Sequence, residues 1–300
     1  MAKRGPGSAW TDVATRAASV SGLVVVFVAL SVLLSGAMAS AQAEPSGAKT
    51  LTGTIFGLPD RAGEDEDRLD PDRPHFPEAS TTVGKGRVML ESGYTWSEKG
   101  GSTSSHSVPE GVLRIGLFAD WFELRAGDNL VRDEHIVGRG ASADRWVNDV
   151  YLGVKLAVNE QWRYLPRIAV VPQMTIPFDT RTGQAGPVLP GLNIDGSWDV
   201  VKSLFNLEFI IATNRVRDDA FRSHVEVATG LTAAVNVHRD LEIFVEWDAF
   251  YAAGRAPRDY AVTGLVYFIT RNVEIDARVG LGLNRQANDV LAGTGFAVRY

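Results

Sequence analysis

The chain has 300 residues, of which 45% are hydrophobic and 22% charged, and its formal net charge is −6. The absence of cysteine excludes a disulfide framework, a thiol nucleophile and a cysteine-based zinc site. The acidic balance argues against a nucleic-acid-binding protein, which needs a basic surface. The histidines are few and scattered, so we predict neither a metal site nor a cofactor.

The N-terminus resembles an export signal. Basic residues near the start precede an uncharged apolar run over 23–34, and an Ala-x-Ala site follows at 41–43. This order is typical of a cleaved secretory signal peptide. The apolar run is shorter than the roughly 20 residues that a spanning helix needs, which disfavours a retained anchor. We predict that residues 1–43 form a cleaved signal peptide of an exported Gram-negative protein.

Residues 44–86 form a polar N-terminal arm. It contains Gly-Glu-Asp-Glu-Asp-Arg at 63–68 and Asp-Pro-Asp-Arg-Pro at 70–74, with little periodicity. Prolines beside a run of carboxylates indicate a loop or an extended segment. Two hypotheses stay open: a solvated linker, or an arm that lies within or under the following body and partly fills it.

From residue 87 onward the hydrophobic pattern has a period of two. In 241–247, for example, every odd position is apolar, whereas Glu242, Glu246 and Asp248 lie on the other face. About twelve such segments of about ten residues follow one another, and this is the length of a tilted membrane-spanning strand. We therefore predict an all-β fold, a transmembrane antiparallel up-and-down β-barrel of about twelve strands over residues 87–300.

Two features favour a membrane barrel over a soluble sandwich, which shows the same alternation. The apolar face carries no charged residue in any assigned strand. The second feature is an alternation of connection lengths, which is typical of short periplasmic turns and long external loops. Short connections are predicted at 119–120, 159–160, 238–240 and 270–272, and long ones at 97–106, 132–145, 178–187, 214–221, 252–259 and 284–290.

Aromatic residues near the predicted strand ends suit the two membrane–water interfaces. They are Trp96, Trp146 and Tyr251 at the external ends and Trp121, Trp162, Trp198 and Tyr300 at the periplasmic ends. The last strand ends on Tyr300, which resembles the C-terminal signal read by the outer-membrane assembly machinery. We predict location in the bacterial outer membrane, with outer-membrane lipid, that machinery and a small-molecule solute as partners, and no nucleic acid.

Charged residues on the inward face are the candidate site. The early strands carry Arg87, Arg114, Arg125, Lys155 and Arg167, and the later ones carry Glu208, Glu226, Glu242, Glu246, Asp248, Glu274 and Asp276. Closing the barrel sets a basic wall against an acidic wall. One interpretation is a salt-bridged interior that satisfies buried charge. The other is a constriction whose transverse field orients a polar or zwitterionic solute, with Arg87, Arg114 and Arg125 against Glu226, Glu246 and Glu274.

Barrel size favours passage of small molecules. About eight strands are filled by their side chains and about sixteen leave an open channel, so about twelve fall between. We predict a passive channel for small solutes, with a closed structural or adhesion barrel as the alternative. An outer-membrane lipid-active enzyme is disfavoured because no histidine faces lipid beside a serine, and His224 is predicted in the lumen beside Glu226. No catalytic residue is predicted.

One segment resembles a known family. The sequence Asp-Arg-Pro-His-Phe-Pro-Glu at 72–78 leads through Gly-Lys-Gly at 84–86 into Glu-Ser-Gly-Tyr at 91–94. This resembles the start of the family described as the MetA-pathway of phenol degradation, in which a DRPxFTE-like arm precedes the first strand. Segments 109–117 and 121–125 continue the likeness, which covers roughly 70–300. The resemblance implies an outer-membrane transporter-like barrel for small compounds, aromatic compounds among them.

Overall fold

The structure is a computed structural model that describes residues 50–56, 68–137, 141–179, 185–217 and 222–300. Within these ranges the chain forms one short helix and twelve β-strands. The elements are α1 (Leu51–Phe56), β1 (Val88–Lys99), β2 (Thr103–Gly116), β3 (Phe122–Val137), β4 (Ala141–Asn159), β5 (Arg167–Asp179), β6 (Leu189–Val201), β7 (Phe205–Arg217), β8 (Ser223–His238), β9 (Leu241–Ala252), β10 (Arg258–Thr270), β11 (Val273–Gly282) and β12 (Val290–Arg299).

The strands close into a barrel. Each strand pairs antiparallel with its neighbours in the chain, and β1 pairs with β12 from Met89 opposite Arg299 to Glu98 opposite Val290. Closure leaves no unpaired sheet edge, which is what a sheet in hydrocarbon requires. The predicted up-and-down barrel of about twelve strands is confirmed. Within the described part of the chain, no helix has both the length and the apolar character to cross a bilayer.

The two faces of the wall differ as the alternation predicts. Outward-facing apolar side chains form a band around the barrel, including Leu124, Leu152, Leu192, Ile211, Val227, Leu231, Val245, Leu265, Ile275, Val279, Leu281 and Phe296. Inward-facing charged groups such as Arg114, Lys155 and Glu274 are fully buried. An apolar outside over a charged inside is the arrangement of a barrel that lipid surrounds.

Aromatic side chains project outward near the end that carries Val88 and Arg299. Trp162 is 55% exposed, Tyr164 92% and Tyr300 64%. This end is the periplasmic one in bacterial outer-membrane barrels, and exposed rings suit the interface there. The side chain of Trp146 lies outside the described residues.

The predicted connection lengths are partly wrong. The segments 97–106 and 132–145 were expected to be long loops, but β1 extends to Lys99 and β2 begins at Thr103, while β3 and β4 are separated by 138–140 alone. The short turn expected at 159–160 is instead the longer connection 160–166. Strands continue past the apolar band, where water reaches both faces, so polar composition there does not end strand pairing.

Residues 68–86, which we call the plug, lie inside the barrel. The Leu69 N–H donates to the Arg271 carbonyl at the β10–β11 turn, and the Phe76 N–H donates to Glu246 midway along β9. The Gly86 N–H then donates to the Gly116 carbonyl at the periplasmic end of β2. The plug thus rises to about half the barrel height and returns. The hypothesis that the arm partly fills the body holds for these residues.

Little of the preceding chain is described. Helix α1 begins at an N-cap, where the Gly53 N–H donates to Thr50 Oγ1 at 3.0 Å, and Thr52 Oγ1 donates to the Val158 carbonyl on β4 at 2.8 Å. The predicted signal peptide over 1–43 lies outside the described residues, so its cleavage and the boundaries of the arm stay predictions.

The outward face predicts a depth-dependent cost of charge. Leu231→Arg, on the middle of β8, should lower the free energy of unfolding by ~2–4 kcal/mol, because the guanidinium would face the centre of the bilayer. Val237→Arg, near the periplasmic end of the same strand, should cost about 0–1 kcal/mol. Urea titration in lipid vesicles, followed by tryptophan fluorescence, measures both. Equal costs at the two positions would contradict a membrane-spanning β8.

Candidate functional site: the plugged lumen

Asp72 lies at the centre of a buried cluster of cations. Its carboxylate accepts from Lys155 Nζ at 2.5 Å, lies 3.3 Å from Arg114 Nη1 and forms an ion pair with Arg125 Nη2. Arg114 comes from β2, Arg125 from β3 and Lys155 from β4. One plug carboxylate therefore holds together three strands of the predicted basic wall.

This cluster fixes the charge of Asp72. Burial alone would raise the pKa of the Asp72 carboxyl, but the charges of Arg114, Arg125 and Lys155 outweigh burial and hold the pKa well below its ordinary value. Asp72 is therefore an anion at neutral pH. The depressed pKa also means that the stability Asp72 contributes is present above the ordinary carboxyl pKa and is lost only in acid.

Further carboxylates complete the basic side of the lumen. Arg114 Nε donates to Glu123 at 2.8 Å and Arg114 Nη1 donates to Glu91 at 3.0 Å. The same two acids accept from the plug backbone, since the Asp72 N–H donates to Glu91 at 3.0 Å and the Val83 N–H donates to Glu123 at 2.7 Å. Glu91 and Glu123 thus bridge wall and plug. Buried charges persist where ion pairs and hydrogen bonds satisfy them together.

Arg73 occupies the apex of the plug. Its Nη1 lies 2.8 Å from Glu110 on β2 and its Nε 3.3 Å from Asp276 on β11. Gly93 and Gly295 are opposite each other across the β1–β12 seam, and a Cβ added at either would collide with the Arg73 guanidinium. The missing side chains therefore make room for Arg73 against the wall.

His75 contacts the acidic side of the lumen. Its Nδ1 lies 3.0 Å from Glu208 and its Nε2 3.8 Å from Glu242, and the edge of its ring packs against Phe244. Burial opposes protonation of His75, but Glu208, Glu242 and Glu246 outweigh it and raise the pKa of the imidazole to about 9. His75 is therefore a cation at neutral pH and neutralises part of the acidic wall.

The plug lies between the two predicted walls. Asp72 contacts the basic side and His75, three residues later, contacts the acidic side. Most of the predicted site residues are buried in the lumen: Arg114, Arg125, Lys155, Glu208, Glu242, Glu246, Asp248, Glu274 and Asp276. Arg114 and Arg125 consequently contact plug carboxylates and do not face Glu246 and Glu274 across open space.

Three predicted residues lie away from this centre. Arg87 precedes β1 with an exposed side chain at the periplasmic end. Arg167 opens β5 and pairs with Glu160 at 3.1 Å near the same end. Glu226 pairs with Arg258 at 2.6 Å, nearer the external loops. The three do not meet at one level of the barrel. The transverse constriction therefore stays a hypothesis, taken up below.

A cavity of about 250 Å³ lies on the external side of the plug apex. Phe76 lines it from the plug, and β9 and β10 contribute Glu246, Asp248, Phe250 and Tyr260. The lumen thus has two parts, a periplasmic half filled by the plug and a space above it that can hold a small molecule.

The family model described as "Putative MetA-pathway of phenol degradation" matches residues 71–300. The chain belongs to this family. The matched region begins within the plug and includes the whole barrel, so the segment 72–78 lies inside it.

A solved outer-membrane channel has the same fold. The COG4313 outer membrane channel from Pseudomonas putida F1 has a TM-score of 0.52 and 12% identity, over 77% of this chain and 100% of that chain. The NanC porin has a TM-score of 0.44 and 12% identity, over 71% and 98% of the two chains. A search of curated proteins found no match. The predicted outer-membrane location is confirmed by the closed barrel and its apolar outer band.

Sequence reasoning missed the plug residues of this family member. Asp72, Arg73 and His75 were part of the motif that carries the resemblance, but nothing in their spacing indicates which wall residues they meet. The alternation places Glu91 and Glu123 on the same inward face as Arg87 and Arg125, but they are not among the predicted site residues. Their negative charge is the feature that could have identified them, because two buried carboxylates on the basic wall need cations nearby.

Neutralising Asp72 should release the plug. Asp72→Asn keeps the shape but leaves Arg114, Arg125 and Lys155 without their shared anion, and breaking a buried pair costs ~3–5 kcal/mol. A glutamyl protease should then cut after Glu78 much faster than in the wild-type protein, as read by mass spectrometry. Asp70→Asn is the matched control, because Asp70 is exposed. Equal protection of Glu78 in both variants would contradict the anchoring role.

Stability should fall with pH through the titration of His75. The raised pKa means that its contribution is complete below about 6.5 and is lost as pH rises through about 9, amounting to about 3 kcal/mol. Urea unfolding between pH 6 and pH 10 measures this loss. His75→Gln should abolish the loss in that window while leaving Glu208, Glu242, Glu246 and nearby Arg68 in place. An identical pH profile for the two proteins would count against a protonated His75.

Proposed function

We propose that this protein is a passive outer-membrane channel for small solutes, in which the plug is the barrier. The observation that carries the proposal is the polarity of the contact between plug apex and wall. Asp72, Arg73, His75 and Glu78 meet the wall through ion pairs and hydrogen bonds. Water can replace such contacts, so movement of the apex exposes mainly polar groups, together with the Phe76 ring that packs against Ile210 and Ala228.

The two ends of the plug differ from its apex. Leu69 and Val83 are 2% and 3% exposed and belong to one apolar cluster with Met89, Val266 and Phe268. Apolar packing holds these ends at the periplasmic mouth, because their exposure to water is unfavourable. The proposed motion is therefore a shift of residues 70–80 about two fixed ends.

The predicted constriction belongs to the open state in this proposal. Once the apex shifts, Arg114 and Arg125 lose Asp72 and face Glu246 and Glu274 across a hydrated lumen. A transverse field then orients polar or zwitterionic solutes, and the external loops filter them first. Because the field acts on charge and not on size alone, neutralising Glu246 should alter ion selectivity.

A closed structural or adhesion barrel is the second candidate. The observation that favours it is the complete burial of Arg114, Lys155 and Glu123 beneath the plug, which is typical of a stable core. We propose no catalytic role. Among the described histidine side chains, His75 and His106 bond to Glu208 and to the Tyr94 hydroxyl, and none bonds to a serine.

The C-terminal strand supports a proposal about assembly. β12 ends at Arg299, Tyr300 follows with a 64% exposed side chain, and the outward Phe296 precedes it on the same strand. We propose that this aromatic end is read by the outer-membrane assembly machinery and then contacts outer-membrane lipid.

A reversible crosslink tests whether the plug must move. The hydroxyls of Ser80 in the plug and Ser197 on β6 are 2.6 Å apart, so cysteines there can form a disulfide, and the natural chain has no competing thiol. In planar bilayers the oxidised Ser80→Cys/Ser197→Cys protein should conduct much less than the wild-type protein. Reduction should restore conductance, and the single variants should conduct normally.

Three results would overturn the proposal in different ways. Undiminished conductance of the fully oxidised protein would mean that solutes pass a stationary plug. Silence of the wild-type protein under all voltages and solutes would favour the closed structural barrel. Hydrolysis of a lipid or ester substrate by the purified protein would instead indicate an enzyme.

A further inference from the structure

The cavity above the plug is large enough for a ring-sized ligand. Its volume of about 250 Å³ exceeds the roughly 150 Å³ of an engineered cavity that holds benzene. It lies between Phe76 at the plug apex and the inner face of β9–β12. Any solute that travels through the barrel from the external side meets this space before it meets the ion pairs of the plug.

One part of the cavity is aromatic. The rings of Phe76 and Phe250 have centroids 5.0 Å apart, and Phe250 and Tyr260 meet edge to face at 6.1 Å. The Tyr260 hydroxyl accepts from the Asn288 N–H at 3.1 Å, which holds that ring in place. Adjoining aromatic faces attract organic cations through their quadrupoles as well as packing against apolar groups.

Another part of the cavity is acidic. Glu246 and Asp248 are two residues apart on the inner face of β9 and are 5% and 6% exposed. Glu246 accepts from the Phe76 N–H and from Thr232 Oγ1 at 2.6 Å, whereas Asp248 Oδ1 is buried without a hydrogen-bond partner. Within the described part of the chain, neither carboxylate forms an ion pair with a cationic side chain. A buried carboxylate oxygen without a partner is costly unless a ligand supplies one.

The two arginines of the cavity do not fill this need. Arg258 pairs with Glu226 at 2.6 Å and lies over the Phe250 ring. Arg278 donates to the Pro74 carbonyl at 2.7 Å and to Thr95 Oγ1 at 3.1 Å, so it holds the plug to the wall. Arg258 is thus engaged by Glu226 and Arg278 by Pro74 and Thr95, so neither arginine donates to Asp248 or Glu246 in the part of the chain that the structure describes.

We propose that this cavity binds a small organic monocation with a ring, of the arylalkylammonium class. The ammonium group donates to Asp248 and Glu246, and the ring packs against Phe76, Phe250 and Tyr260. The inference deepens the proposed channel and rests on it for its use in transport. Binding itself, however, can be measured without any passage of solute.

The test compares three probes of similar size and different charge on the full-length folded barrel in detergent. They are 2-phenylethylammonium, neutral 2-phenylethanol and anionic phenylacetate, measured by titration calorimetry at pH 7.5. The ammonium should bind most tightly. Asp248→Asn should weaken ammonium binding about tenfold or more, because a charge-assisted hydrogen bond is lost, and should leave 2-phenylethanol unchanged.

Matched variants distinguish a specific effect of the site from a general effect of charge and from a loss of folding. Asp240→Asn removes one negative charge from the periplasmic turn of the same hairpin and should leave ammonium affinity unchanged. Phe250→Leu keeps both carboxylates and should weaken binding of the ammonium several-fold, because the ring of the ligand loses an aromatic packing partner. Gel migration before and after boiling verifies that each variant is folded.

The outcomes distinguish the inference from the channel proposal. Equal affinity for the three probes, tightest binding of phenylacetate, or unchanged ammonium affinity in folded Asp248→Asn would overturn the inference. Conductance by a barrel that does not bind the ammonium would support the channel proposal and contradict the proposed cation site. Ammonium binding that depends on Asp248, in a barrel that does not conduct, would support the proposed cation site and contradict the channel proposal.

Discussion

A sheet in hydrocarbon cannot have an edge, and the rest of this structure depends on that constraint. The first and last strands must pair, as they do between Met89–Glu98 and Val290–Arg299. Closure turns one face of every strand toward lipid and the other toward an enclosed space. Polar side chains that an open sheet would show to bulk water are thereby confined together, and their charges must be satisfied inside the barrel.

The plug is the means by which much of that confined charge is satisfied. Arg114, Arg125 and Lys155 share Asp72, and His75 carries a positive charge to the acids of the opposite side. Without the plug, like charges would lie close together on each wall, which is unfavourable. The segment between them is therefore as much a part of the barrel's electrostatic balance as the strands are.

Alternation predicted the strands and their faces because lipid and lumen impose opposite demands on neighbouring residues. Connection lengths were predicted less well, since the polar run from Thr103 onward continues a strand beyond the membrane and resembles a loop in composition. The position of the plug inside the barrel could not be predicted from the sequence, for a different reason. Its residues follow no period, and partners such as Asp72 and Lys155 are 83 positions apart, so their contact is decided by closure of the barrel.

The plug runs directly into the first strand. Gly84 and Gly86 adopt positive φ at this junction, and a Cβ on Gly116 would collide with the Gly84 carbonyl, so plug and wall touch closely here. The plug and the barrel are consequently parts of one polypeptide chain. In the proposed gating, return of the plug to its closed position would be a unimolecular event at an effective concentration of about millimolar or higher, independent of how many copies the membrane holds. A separate plugging molecule would have to reach the lumen by diffusion each time, whereas this plug stays covalently attached to β1.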